Sequence, residues 1–550
     1  MIKSTCLLWI GGLSIFLCAC QSGESRYDVE DGLASFTVPS LEEKIKTLSS
    51  DEFMGRKPFT EGETKTLEYL QAEYKKIGLE PGNETSYLQE VPLMEITTTA
   101  DSSMTIEGSK GKFNLKGLDD YVIWTRDPEG TSLDKAELVF AGYGIVAPEY
   151  NWNDYEGLDV KDKIVIVFVN DPGFGMNDST FFKGNTMTYY GRWTYKYEEA
   201  ARRGAKGCLV IHDDIPASYG FWVVQNSWNT SKFYLDSRGK AERTCDVEGW
   251  ISLPATKKLF QASGLDYAKE FSDAHKPGFK GRALSLKAST TLKASVNFNK
   301  SYNVIGKITG SERPDEVIIY SAHWDHLGIG KADEEGDSIY NGALDNASGV
   351  AGVMEIAKAF TSLKTKPKRS IVFLAVTAEE QGLLGSQYYS ENPVYPKENT
   401  VADINIDGVN AKGKMNDIAL VGRNQSVLED YLREECKKVN RYAAPDPNPE
   451  AGYYFRSDHF NFAKIGIPSL YTHTGVDHVE KGKDYGMQLS EEYRSKRYHK
   501  PSDEYNPSTW DLESSVDDLK LLFQVGKRLA FEDTWPQWKV GSEFKAIRDQ

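Results

Sequence analysis

The sequence predicts an α/β protein with a sheet that helices cover on both faces. From residue 303 onward, short runs rich in β-branched residues alternate with segments of helical periodicity. This alternation favours a sheet with helices packed on each side. The chain has 550 residues, which is too long for one compact core, so we expect two or three domains.

Residues 1–19 are expected to be a secretory signal rather than part of the fold. Lys3 precedes an apolar run that is too short to span a membrane. The run ends in Leu17-Cys18-Ala19-Cys20, which resembles a bacterial lipobox and implies a lipid on Cys20. Residues 20–38 are polar and would tether the protein to the bacterial cell envelope, at the outer membrane. The alternative is a simple signal peptide with chance cysteines.

Charge and cysteine content exclude two classes of function. The formal charge of −16 argues against nucleic-acid binding, because phosphates require a basic surface. Cys208, Cys245 and Cys436 lack the spacing of a zinc site, so we expect buried thiols without a catalytic role.

Two helices are predicted before residue 80. Ser40 and Glu43 form a capping-box pattern that would begin the first. Residues 61–77 carry Leu67, Leu70, Tyr74 and Ile77 on one face, and Gly78 is suited to end that helix.

The middle of the chain is richer in strands and glycine. AELVFAGYGIV and KDKIVIVFVND are predicted strands, and YKYEEAARRGAKGCLVIHD predicts a helix that stops at Gly204 before another strand. After residue 303 the predicted strands are NVIGKITG, EVIIYSAH, SIVFLAVTAEE, VADINIDG and IPSLYTHT, with a helix after Ser348 and a final amphipathic helix, SVDDLKLLFQVGKRLAF.

Five sites after residue 320 combine carboxylates and histidines. Four of them lie where a predicted strand ends or a helix begins, which is the edge where open α/β sheets bind ligands. The sites are His323-Trp324-Asp325, Asp345, Glu379-Glu380, Asp403 with Asp407, and Tyr498-His499.

The stretch HWDH raises the question of how many of its side chains bind a metal ion. Along an extended chain, His323 and Asp325 point to one side and His326 to the other. The Asp325 carboxylate would then accept the second imidazole N–H of His323 and fix its tautomer. We therefore expect one ligand here, His323.

Glu379 and Glu380 directly follow a buried apolar run. Adjacent carboxylates at such a place repel each other and resist desolvation, and a nearby dication would offset both costs. Since adjacent side chains diverge, one can bind metal while the other faces the substrate. Asp345 precedes a helix, where a plain N-cap is the alternative interpretation.

Taken together and in order, these motifs resemble the co-catalytic di-zinc exopeptidases. That family includes bacterial leucyl aminopeptidases, glutamate carboxypeptidase and the transferrin receptor. The resemblance implies a three-layer zinc-exopeptidase fold, with a mixed sheet flanked by helices, over residues 39–115 and 300–540. The matching elements are HWD, LDNASG, AEEQGLLGS, NIDGVN, SDHFNFAKIGIPS, YHKPSDEYN and, near the start, LSSDEFMGR.

The resemblance also implies a complete metal site. Asp345 would bridge two zinc ions and be followed by a cis peptide bond. The other implied ligands are His323 and Asp407 for one ion, and Glu380 and His499 for the second.

Catalytic roles follow from the same resemblance. Glu379 would be general base and acid toward a hydroxide shared by the two ions, and Asp325 would support His323. Tyr498 could donate a hydrogen bond to the developing oxyanion, or simply pack beside the cleft.

Residues 116–299 resemble a protease-associated domain inserted in the peptidase fold. The elements that carry this resemblance are AGYGIV, DVKDKIVIV and AARRGAKGCLVI.

The favoured activity is that of an aminopeptidase acting on peptides. Tyr453, Tyr454 and Phe455 could line an apolar pocket for the first side chain, or belong to the core. A carboxypeptidase is the main alternative, with Arg456 as the cation for a substrate carboxylate. A single-zinc glutaminyl cyclase and a non-catalytic binding protein are less favoured, because every ligand position and Glu379 are present.

Overall fold

We describe the protein from a computed structural model. The predicted signal, Cys20 and most of the tether lie outside the residues that it describes. No helix among the described residues is long and apolar enough to cross a membrane. The structure describes residues 30, 32–176, 178–228, 231–238 and 244–548.

Two helices, α1 (Val38–Leu48) and α2 (Glu61–Ile77), open the fold. Helix α2 has the predicted bounds and ends at Gly78, whose φ of 92° is left-handed. The predicted capping box is wrong, because α1 already begins at Val38. Ser40 instead donates its hydroxyl to Glu355 Oε1 at 2.5 Å.

The next part of the chain is rich in strands. Strands β1 and β2 are Glu80–Pro81 and Leu88–Ala100. The strands that follow are β3 (Ser103–Gly108), β4 (Gly111–Lys116), β5 (Tyr121–Trp124), β6 (Thr131–Phe140), β7 (Val146–Ala147), β8 (Trp152–Asn153), β9 (Ile164–Phe168), β10 (Gly207–His212), β11 (Lys232–Leu235) and β12 (Val247–Ser252). The helices here are α3 (Trp193–Arg202), α4 (Asp214–Ala217), α5 (Phe221–Trp228), α6 (Leu253–Ala262) and α7 (Tyr267–Ala274).

The C-terminal part alternates strands and helices. Its strands are β13 (Arg282–Ile308), β14 (Arg313–His323), β15 (Gly328–Ile329), β16 (Ile339–Tyr340), β17 (Arg369–Val376), β18 (Thr400–Asn405), β19 (Asp417–Leu420), β20 (Tyr442–Pro445) and β21 (Ser469–Thr474). Its helices are α8 (Ser348–Thr361), α9 (Leu384–Glu391), α10 (Leu428–Lys438), α11 (His459–Lys464), α12 (Gly482–Lys496), α13 (Leu512–Phe531) and α14 (Lys545–Arg548).

The C-terminal strands form one mixed sheet in the order β13–β17–β14–β18–β21–β19–β20. Strands β17, β14 and β18 are adjacent and parallel, with His323 opposite Val376 and Ser321 opposite Asn405. Their carboxyl ends therefore lie side by side at one edge of the sheet.

Helices cover both faces of this sheet, as the sequence predicted. Ile318 and Tyr320 of β14 pack in a cluster with residues of α1, α2, α8 and α13. Val317 and Ile319, which alternate with them, pack with residues of α9 and α11 on the other face. The α/β fold class is confirmed.

Strand β13 connects the two parts of the molecule. It has 27 residues; its first half pairs with β6 and β3, its middle with β2, and its end with β17. In the strand-rich part, β6, β9, β10 and β12 are parallel neighbours. Because the sheet continues through β13 without a break, the domain boundaries at 116 and 299 stay predictions.

Arg56 joins the N-terminal segment to the loops at the edge of the C-terminal sheet. Its guanidinium is buried and donates only to backbone carbonyls: Nε to Trp324 at 2.8 Å, Nη1 to Leu48 at 2.6 Å and to Asn341 at 2.7 Å, and Nη2 to Gly342 at 3.0 Å. Trp324 directly follows β14, so one side chain holds loops from three parts of the sequence.

We expect Arg56→Met to destabilise the fold. Each buried carbonyl left without a donor costs about 1–3 kcal/mol, so the free energy of unfolding should fall by at least about 3 kcal/mol. Denaturant unfolding measures this. Arg528→Met is the control, because Arg528 pairs with Glu434 and Glu532 near the surface and should change stability by about 0.5 kcal/mol or less. Equal midpoints for Arg56→Met and the parent would contradict the role given to Arg56.

Candidate metal centre

The predicted site residues meet where β17, β14 and β18 end. His323 is the last residue of β14, Glu379 and Glu380 follow β17, and Asp407 follows β18. Because these strands are parallel neighbours, their side chains converge on one place. Asp345 precedes α8, and His499 follows α12.

Asp345 lies between the two histidines. Its Oδ1 is 3.3 Å from His323 Nε2, and its Oδ2 is 3.3 Å from His499 Nε2. His323 Nε2 is also 3.4 Å from Asp407 Oδ1, and His499 Nε2 is 3.1 Å from Glu380 Oε2. The five residues thus form two groups that share one carboxylate.

These separations fit zinc in each group. Two atoms that bind one tetrahedral zinc ion at about 2.0 Å lie about 3.3 Å from each other. The four separations of 3.1–3.4 Å match that edge. Imidazole nitrogen and carboxylate oxygen are also the donors that zinc takes in catalytic sites.

The loop that carries Asp345 is fixed by Asp503. The Asp503 carboxylate accepts the backbone N–H groups of Leu344 at 3.3 Å and of Asp345 at 3.1 Å. The peptide bond from Asp345 to Asn346 is cis, as the family resemblance implied. The N-cap interpretation of Asp345 is wrong, because α8 has no side-chain cap.

Asp407 is oriented by residues that the sequence analysis did not single out. Its Oδ2 accepts from Ser457 Oγ at 2.7 Å and from the Tyr471 hydroxyl at 3.3 Å, so Oδ1 faces His323. Ser457 lies in the family-like stretch SDHFNFAKIGIPS, and Tyr471 lies in the predicted strand IPSLYTHT. Asp403 is not in the cluster; it lies within β18 and accepts from Ser321 Oγ at 2.7 Å.

Asp325 supports the site by a contact other than the predicted one. His323 Nδ1 lies 3.1 Å from the Asp325 backbone carbonyl and 3.9 Å from its carboxylate. That carboxylate instead accepts the backbone N–H of Glu379 at 2.9 Å. Strand β14 ends at His323, so the extended-chain alternation behind the prediction does not reach Asp325.

The same strand end makes the prediction for His326 wrong. His326 is buried, and its Nδ1 lies 2.6 Å from Glu380 Oε1. Its ring centroid is 5.8 Å from that of His499. The imidazole therefore lies inside the cluster and does not point away from it.

Glu379 lies beside the His323 group. A carboxylate oxygen of Glu379 and donor atoms of His323 and Asp407 all lie within 4.8 Å of one another. Burial, together with the charges of Glu380 and Asp458, raises the pKa of Glu379 well above its usual range. Burial and the neighbouring carboxylates thus favour the neutral form of Glu379 in the metal-free cluster, and a bound dication would favour the carboxylate.

Imidazoles and carboxylates balance each other in the metal-free site. Burial opposes the charged forms, but Glu380 and Asp345 raise the pKa of His499 to about 10. Conversely, His499 and His326 lower the pKa of Glu380 to about 2 against burial and the charge of Asp345. A bound metal ion would replace the imidazole protons.

Tyr498 lies at the open side of the cluster. Its ring stacks on His499 with centroids 3.8 Å apart, and the residue is 46% exposed. It therefore adjoins a predicted ligand, and its role toward an oxyanion stays a prediction.

The segment proposed to line a substrate pocket is mostly core. Tyr454 and Phe455 are buried in an aromatic cluster with Phe460 and Phe544. Tyr453 is partly buried and accepts from Arg494 at 3.1 Å. Arg456 is exposed, 5.6 Å above the Tyr453 ring.

Comparison with known proteins finds a family model that matches the C-terminal part. Residues 303–523 match the description "Peptidase family M28". A "Probable zinc metalloprotease" of Pyrenophora tritici-repentis is 39% identical over 209 residues, which cover 37% of this chain and 46% of that protein. "Aminopeptidase NAALADL1" of Mus musculus is 36% identical over 140 residues, 24% of this chain and 17% of that protein. The chain thus spans less than half the length of these curated relatives.

Solved aminopeptidases are similar to most of the chain. An aminopeptidase from Aneurinibacillus sp. strain AM-1 is 19% identical, with 92% of this chain and 97% of that chain covered and a TM-score of 0.47. A zinc aminopeptidase from Bacillus subtilis is 16% identical, with 91% and 96% covered and a TM-score of 0.41.

We expect Asp345→Asn to weaken both metal sites and Asp407→Asn to weaken only one. Asp345 alone contributes an oxygen to each group. Metal analysis after dialysis against a chelator measures the difference. Asp403→Asn is the matched control, since burial raises the pKa of Asp403 well above its usual range and an amide should replace it without loss of metal. If Asp345→Asn lost no more metal than Asp407→Asn, the assignment of Asp345 to both metal sites would be wrong.

Proposed function

We propose that the chain is a member of peptidase family M28, whose description residues 303–523 match, and that it is a zinc-dependent metallopeptidase that removes N-terminal residues from peptides. The observation that carries the proposal is the position of Asp345, whose two oxygens face His323 and His499 at 3.3 Å each. This arrangement supports two zinc ions rather than one. A lipid on Cys20 would attach the enzyme to the cell envelope.

The zinc ions would be held by residues from separate elements. Bound there, they would polarise the scissile carbonyl and lower the pKa of a water molecule toward neutrality. The proposed ligands are His323, Asp345 and Asp407 for one ion, and Asp345, Glu380 and His499 for the other.

Glu379 is proposed as the group that moves protons. Its carboxylate would take a proton from the attacking water and return it to the nitrogen of the leaving amine. Two observations support this role. Its carboxylate oxygen lies within 4.8 Å of donor atoms of His323 and Asp407, and Asp325 accepts its backbone N–H.

Tyr498 is proposed to donate its hydroxyl to the oxyanion that develops on the scissile carbonyl. The support is its stacking on the ligand His499 and its partial exposure, which leave it accessible to a substrate. Packing beside the cleft is the alternative role.

The charges near the site favour an aminopeptidase over a carboxypeptidase. Among the described residues, the carboxylates of Asp345, Glu379, Glu380 and Asp407 form no ion pair with lysine or arginine; those of Asp345, Glu380 and Asp407 pair with histidines. The buried cation nearby is Arg56, whose donors are taken by backbone carbonyls. In the part of the chain that the structure describes, no lysine or arginine in contact with these carboxylates is therefore available to pair with a substrate carboxylate.

A panel of substrates tests this choice. Zinc-loaded protein should hydrolyse aminoacyl anilides and free dipeptides, and should leave the N-acetylated versions of the same substrates intact. Faster hydrolysis of an N-acetylated dipeptide with a free carboxylate would instead support the carboxypeptidase alternative. If the zinc-loaded protein hydrolysed neither set of substrates, the proposed peptidase activity would be wrong.

We expect Glu379→Gln to separate catalysis from metal binding. Zinc content should stay at the parent value, while kcat falls by about 10²–10⁴-fold because the amide cannot accept a proton. KM should change little if Glu379 does not bind the ground state. Glu380→Gln, the adjacent control, should lose affinity for one zinc ion. The reverse pattern would exchange the two roles, and full activity of Glu379→Gln would contradict the mechanism.

A further inference from the structure

His326 is a buried imidazole inside the cluster that none of the roles above uses. Its donor atoms lie with those of Asp345 and Glu380 within 4.8 Å of one another. Neither ring nitrogen has an aligned hydrogen bond among the described residues. A buried polar group of this kind needs a partner, because an unpaired donor or acceptor away from water is destabilising.

The contact with Glu380 differs in length from every ligand separation. Nδ1 lies 2.6 Å from Glu380 Oε1, whereas the proposed ligand atoms lie 3.1–3.4 Å apart. Two atoms bound to one zinc ion would be too close at that distance. The contact is a close approach of an imidazole nitrogen to a carboxylate oxygen that is not aligned as a hydrogen bond, and a small rotation of the carboxylate would make it a charge-assisted one.

Packing holds the ring at this place. The α-carbon of Gly342 lies against the imidazole, and a Cβ added there would meet His326 Cγ at 2.5 Å. Gly342 has a φ of 52°, which disfavours any other residue. The backbone N–H of His326 donates to the Arg56 carbonyl at 3.4 Å. The ring therefore cannot turn away from Glu380 without moving these loops.

We propose that His326 is a positioning residue for Glu380. With the metal ion bound, its Nδ1–H would donate to Oε1, 2.6 Å away, which leaves Oε2, 3.1 Å from His499 Nε2, to bind the ion. Carboxylate ligands are commonly held in this way by a second partner. The inference rests on the proposed function, because it assumes that Glu380 and His499 hold a metal ion.

The test compares His326→Asn with His326→Leu. Asparagine and leucine have nearly the same shape, and the asparagine Nδ2 can replace the donor Nδ1. Metal stoichiometry and affinity are measured with zinc alone by competition against a chelator. The leucine variant should bind one of two zinc ions about 10–100-fold more weakly, and the asparagine variant should stay near the parent. Thermal unfolding of the metal-free proteins checks that both variants fold alike.

Parent-like affinity for both ions in His326→Leu would overturn the inference. Equal weakening in both variants would also overturn it, because the imidazole itself would then be required. A parent protein without stoichiometric zinc would instead contradict the proposed function, so the two failures are distinguishable.

Discussion

The structure depends on the balance of charge at one edge of the C-terminal sheet. Five carboxylates, those of Asp325, Asp345, Glu379, Glu380 and Asp407, share a largely buried space with three imidazoles. Carboxylates so close together cannot all ionise without compensating positive charge. The donors of Arg56 are already used by the backbone, so protons or metal ions must supply the compensation. This requirement is the physical reason to regard the cluster as a metal centre.

The fold satisfies that requirement through the register of three parallel strands. Strands β17, β14 and β18 end together, which brings ligands distant in sequence within a few ångströms. Asp503 and Arg56 then hold the loops by backbone contacts. The scaffold thus positions the ligands, and a second set of residues, including Ser457, orients them.

Much of this could be predicted from the sequence. Apolar runs followed by carboxylates or histidine correctly indicated the α/β fold and the strand ends that meet at the sheet edge, but Asp403 was grouped with the site and His326 was not. Predictions failed where they extended a local rule beyond its element. Side-chain alternation holds only along an extended chain, and β14 ends at His323, so the contacts of Asp325 and His326 were missed. Arg56 was missed because nothing local to LSSDEFMGR indicates that its guanidinium donates to three backbone carbonyls in distant loops.

The central claim is that Asp345 is shared by two metal ions. Anomalous diffraction at the zinc edge, from crystals of zinc-loaded protein, tests it most directly. We predict two anomalous peaks on either side of the Asp345 carboxylate, about 3.5–4 Å apart, one next to His323 and the other next to His499. A single peak, or two peaks that do not both contact Asp345, would contradict it.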